Sequence, residues 1–221
     1  MNAGVQFSAM TRLSKSREPL SPVQQRIQKA ALRLFADKGV DGVNVKDLAR
    51  KAKVARGTIY NNHRASIEAM FQEIATQLSV EMHHRVAATR SDIEDPALRL
   101  SIGIRLFVRR AYEDPDWGAF ILRFTMNNSA MRQMWLGPPR KDVARGIASG
   151  RYKLDPELLP AAIVMIATTA LGAIFLVIKG RRHWRKAGSN AAELMLRALG
   201  VSAAEAHRIA TAELPKLAPL P

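Results

Sequence analysis

Between residues 44 and 62 the chain gathers side chains suited to reading a polyanion. Arg56, Thr58, Tyr60, Asn61 and Asn62 bring guanidinium, hydroxyl, phenol and amide groups into one short stretch, a mixture that can bind phosphate oxygens and pair with base edges. Gly57 sits among them and, lacking a Cβ, permits close backbone approach to another helix or to a phosphate. Asn44 lies upstream, and Ala55 stands where the second half of the stretch begins. No comparable set offers bond-making chemistry. The chain has no Gly-rich phosphate loop, nucleophile elbow or metal-ligand spacing, so no catalytic residue, metal or cofactor is expected. His83 and His84 are adjacent, which points them to different sides of a helix and prevents them from sharing a metal locally. The absence of cysteine excludes disulfides, zinc fingers and thiol nucleophiles, and fits a reducing cytoplasm as the expected location.

The elements that must carry these residues can be read from hydrophobic spacing. Val45, Leu48 and Ala49 form a short apolar-periodic run, Lys51 to Val54 a basic connector, and Ile59 with Tyr60 a second run. Two brief helices with about four residues between them have the spacing of a helix-turn-helix. Asn44 is an N-cap type with Asp47 three positions on, a pairing that resembles a capping box with the shorter carboxylate. Upstream, Ser21-Pro22 signals a helix start, and Ile27, Ala30, Ala31, Leu34 and Phe35 place an apolar face on that helix. Gly39 ends it and Asp41-Gly42 makes a turn. Ile67, Phe71, Ile74 and Leu78 mark a longer helix to about residue 88 that leads out of this small core.

The rest repeats one device, a carboxylate before proline, at Asp95-Pro96, Asp114-Pro115 and Asp155-Pro156. Helices are expected at roughly 96–112, 116–134, 139–149, 157–179, 188–199 and 202–213, the fourth preceded by a 3₁₀-like turn near Pro160. Period-two alternation is absent, so the fold class is all-α. The expected division is a flexible basic tail at 1–21 (Arg12, Lys15, Arg17), a DNA-binding unit at 22–88 and a helical unit at 89–221. No secretory signal is visible in the first twenty residues. A net charge of +15 and a pI near 10.9 favour a polyanionic partner. Residues 1–70 hold 13 basic and 5 acidic side chains, so the charge is densest around the helix-turn-helix.

QRIQKAALRLFADKGVDGVNVKDLARKAKVARGTIYNNH resembles the N-terminal domain of the tetracycline-repressor (TetR) family of bacterial transcriptional regulators. The resemblance lies in Ala30-Ala31, Phe35, Gly39, Val45, Leu48-Ala49, Val54 and Gly57-Thr58-Ile59-Tyr60, and covers about fifty residues; the remainder matches in length and helical layout. It implies a homodimer on double-stranded, palindromic operator DNA, acting as a repressor released by a small apolar effector. Asn44, Ala55, Arg56, Tyr60 and Asn62 fall where the family contacts the DNA backbone, and Arg56, Thr58 and Asn61 where it contacts bases. Three positions depart: Ala55 replaces a capping Ser, His63 an aromatic core residue, and Ser66 a Lys that reaches phosphate.

The second unit offers readings of its own. Trp117, Phe120, Ile121, Phe124 and Met131, with Met126 and Trp135 nearby, are either core or the lining of an apolar effector pocket. Arg123, Asn127 or Thr168 could then orient the effector, with Met165 beside them. Leu158 to Ile178 is 21 residues without a charge, long enough to span a bilayer. It is read instead as a dimer core, with Ala161, Met165, Leu171, Gly172, Phe175 and Leu176 meeting a partner alongside Leu194 and Ala198, and with no membrane contact. Arg181 to Lys186 reads as a solvated turn. A membrane-anchored protein spanning at 158–178 and a nucleoid-type binder without sequence preference are the rivals.

Overall fold

The computed structural model describes residues 21–62, 66–129, 131–132 and 138–219. Among these every regular element is helical. The helices are α1 (Pro22–Lys38), α2 (Val45–Ala52), α3 (Arg56–Asn62), α4 (Ile67–Thr89), α5 (Pro96–Glu113), α6 (Pro115–Phe124), α7 (Pro138–Ala148), α8 (Leu159–Ile178), α9 (Trp184–Ala198) and α10 (Ala203–Thr211), with a 3₁₀ turn at Pro156–Leu158 before α8. Their starts follow the capping chemistry. Ser21 and Gln24 form a full capping box on α1, while Asp95 and Asp114 cap α5 and α6 ahead of proline.

α1, α2 and α3 close a small core through Ile27, Phe35, Leu48 and Ile59, all at most 2% exposed. α4 runs from that core into the second unit, where α5 packs on α6, α7, α8, α9 and α10. The two units are stapled by phenylalanines. Phe71 of α4 lies 5.4 Å from Phe35 of α1, 5.6 Å from Phe120 and 4.7 Å from Phe124 of α6, within the range where tilted rings attract. Arg123 adds a polar tie, its Nη1 donating to the carbonyls of Ala36 and Asp37 at 3.2 and 3.3 Å. Those carbonyls belong to the last turn of α1, where a helix lacks internal partners.

Several expectations need correction. The helix expected at 116–134 ends at Phe124, because Thr125 turns its hydroxyl onto the carbonyl of Ile121 and Asn128 caps a new turn through the amide of Met131. Arg181 to Lys186 is not a solvated turn throughout: α9 starts at Trp184, whose ring is buried and held between Arg109 and Arg185. Leu171 belongs to the subunit's own core at 9% exposure, so it is not a dimer-face residue. The tail residues Arg12, Lys15 and Arg17, together with His63 and Trp135, lie outside the described residues.

α8 meets the length and composition needed to cross a bilayer, with mean hydropathy 2.5, yet half of its most apolar window is buried within the subunit. What remains outside forms a stripe at helical spacing: Ala161, Val164, Met165, Thr168, Gly172 and Phe175 are exposed and Leu176 half-buried. Leu194 and Ala198 are exposed on α9.

Candidate nucleic-acid interface

The amphipathic character of α3 is what builds the surface. Ile59 points inward at 2% exposure and anchors the helix, while Arg56, Gly57, Tyr60 and Asn61 face solvent and Thr58 is half-buried. Asn62 lies at the end of the helix. Tyr60 is 59% exposed, so its ring is available to a partner rather than used as core. Among the described residues, apart from its chain neighbours and its own helix backbone, no atom lies within 4 Å of the position a Cβ would take on Gly57. No neighbouring helix among the described residues therefore requires the glycine, and the space beside it is open.

The turn ahead of α3 is set by α2. Asn44 accepts the amide of Asp47 at 2.9 Å, while the Asp47 carboxylate turns outward to Lys38 Nζ and Arg50 Nη2, each at 2.7 Å. The hydrogen bond from Lys38, outweighing partial burial, holds the Asp47 carboxyl below its usual range. Through this bridge the end of α1 is tied to the start of α2. α2 then closes at Lys53, which takes a left-handed conformation (φ 55, ψ 50). An L-residue pays roughly 1–2 kcal/mol to sit there, and the reward is a connector of three residues, Lys53 to Ala55, rather than four. The amide of Val54 folds back to Ala49 O at 3.0 Å and completes the stop.

Ala55 supplies only its carbonyl to α3, accepting from Thr58 N at 3.0 Å. Ser66, at the position expected to contact phosphate in relatives, instead caps α4 by accepting from Ala69 N at 3.1 Å. The surrounding surface is basic. Arg26, Lys29, Arg33, Lys51 and Lys53 border one groove between α1 and the α2–α3 turn, with Asp116 as the acidic member. Spacing within α2 and α3 gave no warning of the α1 members of this rim, because their contribution depends on how α1 crosses α2.

The residues expected to line an effector pocket do not come together. Trp117, Phe120, Ile121 and Met131 are fully packed core, Phe124 joins the phenylalanine staple, and Asn127, Met165 and Thr168 are on the surface. Thr168 spends its hydroxyl on the carbonyls of Val164 and Met165. A small cavity of about 40 Å³ occurs elsewhere, among α4, α5, α7 and α8, walled by Val86, Leu100, Ile104, Phe107 and Ile166. One end is polar: Arg90 pairs with Asp142 at 2.9 Å, and Asp142 also receives Arg99 at 3.0 Å. The Nε of Arg90 is buried without a hydrogen-bond partner. Sequence spacing missed this site because its walls come from four separate helices.

A helix-turn-helix head joined by one long helix to an all-helical body defines a class of DNA-binding regulators. Residues 27–74 match the family model described as bacterial regulatory proteins, tetR family, and residues 95–212 match that of the tetracyclin repressor-like C-terminal domain. The chain belongs to the TetR family of transcriptional regulators, which are DNA-binding proteins and not enzymes. It is 24% identical over 153 residues to the HTH-type transcriptional repressor DhaR of Mycobacterium sp. (strain GP1), a match covering 63% of this chain and 75% of the relative. The crystal structure of RolR without ligand is 27% identical with a TM-score of 0.65, covering 88% of this chain and all of RolR. RolR complexed with resorcinol matches at 27% identity and a TM-score of 0.64, covering 89% and 96%. FadR of Bacillus subtilis, in complex with stearoyl-CoA, shares the fold at 19% identity and a TM-score of 0.65, covering 80% and 99%.

Proposed function

We propose that the protein is a cytoplasmic, homodimeric repressor that reads an inverted-repeat operator and is released by a small, mainly apolar effector. The observation that carries the reading is α3 itself: a buried Ile59 beneath an exposed face of Arg56, Gly57, Tyr60 and Asn61. Residues 22–88 would read the DNA and 89–221 would dimerise and sense. Arg56, Thr58 and Asn61 would face bases, and Asn44, Ala55, Tyr60 and Asn62 the backbone. The bare stripe on α8, continued by Leu194 and Ala198 on α9, suits a helical interface with a second copy, which would set two copies of α3 about 34–36 Å apart in successive major grooves.

The effector would enter the cavity beside Arg90. Effector sites usually measure roughly 300–1,000 Å³, far above the 40 Å³ present, so binding must part α4 from α5 and α7. Movement of α4 reaches α1 through Phe71 and reaches α6 through Phe120 and Phe124, changing the spacing of the readers as a population shift. Resorcinol in RolR supports a ring of that size with a hydroxyl for Arg90 or Asp142.

Selection of bound fragments from random DNA tests the reading. A symmetric site with half-sites one helical turn apart is expected; displacement by any competitor DNA alike would instead identify a binder without sequence preference.

A further inference from the structure

We infer that the cleft between α5, α9 and the segment after α10 binds a small multivalent oxyanion, phosphoryl or carboxylate, with Arg105 at its floor. The cleft measures about 580 Å³ and is lined by Arg105, Arg109, His183, Arg185 and Lys186 among others. Arg105 is 7% exposed, and its Nη2 donates to Ala212 O at 2.6 Å. Its Nη1 is buried with no hydrogen-bond partner. Burial holds its pKa below the ordinary arginine value, and no acidic group acts against that. The other deeply buried arginine makes the contrast: Arg90 has Asp142 at 2.9 Å.

A guanidinium taken out of water with a single carbonyl for company is a costly arrangement. Its surroundings deepen the imbalance. One turn along α5, Arg109 lies 5.4 Å from the Trp184 ring centroid, and Arg185 covers the same ring at 4.6 Å. Trp184 thus fixes two more guanidinium groups at the cleft. Arg109 is shared with Glu113 at 2.7 Å. Glu193 is already taken by His207 at 2.9 Å, which leaves Glu213 as the remaining carboxylate along the cleft among the described residues. α9 clamps the arrangement: a Cβ on Gly188 would lie 3.4 Å from both Cα and Cγ of Arg105, so this helix rests directly on the arginine stem. Planar forks converging from two helices match the geometry of a phosphoryl or carboxylate group, which would supply the missing counter-charge. The site is separate from the cavity beside Arg90 and from the reading helix.

Calorimetric titration of the full-length protein at fixed ionic strength tests the inference, with inorganic pyrophosphate in one arm, citrate in another and chloride as control. Saturable binding of one anion per chain is expected, weakened at least tenfold in Arg105→Met and in the exposed Arg185→Ala, Lys186→Ala pair, and unchanged in Arg56→Ala. Binding of pyrophosphate alone assigns a phosphoryl ligand; binding of citrate alone assigns a carboxylate. Failure of both anions to saturate overturns the site, as does undiminished binding in Arg105→Met. If Arg105→Met does not fold, the pair at 185 and 186 decides, and unchanged affinity there overturns it equally.

Discussion

Ala55 opens α3 without a side chain able to accept from the first turn, an omission the chain bears at the surface proposed to face DNA. Ala55→Ser should restore a cap and raise unfolding stability by about 1 kcal/mol, read as a higher urea midpoint at constant slope. Arg56→Ala should weaken operator binding by about 1–3 kcal/mol and leave helicity alone; unaltered affinity in a fluorescence titration would remove Arg56 from the contact set. Asp95 contributes to the pH dependence of stability. Partial burial raises its pKa, but hydrogen bonds from Arg151 and the amide of Ala97 outweigh burial and hold it below the ordinary carboxylate value. Arg151 binds Asp95 and Glu205 together, each at 2.8 Å. A depressed folded pKa means the stabilisation is complete above the unfolded value of about 4 and fades as pH falls through the folded one. Asp95→Asn should therefore lose stability at pH 7 and show a shallower acid decline, measured by urea midpoints at pH 7 and 3. At this scale the caps were legible in sequence because capping is local; the partners of Asp47 and Asp95 were not, since Lys38 arrives from α1 and Arg151 from the loop after α7.

The helix starts at Ser21, Asn44, Asp95 and Asp114 could be read because each carries its signal within four residues; α9 instead begins at Trp184, ahead of the expected 188, on a His183 cap that the spacing did not announce. The premature end of α6 had a sequence cue, Asn127-Asn128, that apolar periodicity overrode: Met131 fits the helical register of Phe120 and Phe124 yet belongs to the next turn. Orientation of α8 was the harder problem. A segment apolar on every side gives no periodic hint of which residues its own subunit covers, and so Leu171 reads like Phe175 in sequence. Their fates now separate two substitutions. Phe175→Arg should yield a folded monomer, whereas Leu171→Arg should impair folding, because it places a charge in a sealed interior; size exclusion with circular dichroism distinguishes them, and an intact Phe175→Arg dimer would argue against the α8 interface. At the junction of the units, Phe120→Ala should cost about 3–5 kcal/mol. Arg123→Met should change stability little, since its guanidinium is largely solvated, yet reduce the effect of an effector on operator affinity. Equal release in wild type and variant would exclude Arg123 from the linkage.

The whole molecule carries a net charge of +15, and part of it borders the groove beside the α2–α3 turn. Binding to duplex DNA should weaken steeply with salt, the logarithm of the constant falling in proportion to the number of phosphates neutralised. The bare stripe on α8 has a different consequence. On the proposed homodimer the chain would be its own titrant: below the dimerisation constant, competent reader would grow with the square of chain abundance. Halving synthesis would then cut operator occupancy about fourfold in the dilute limit, so the regulated promoter would respond to the regulator's copy number more sharply than linearly, before any effector is present.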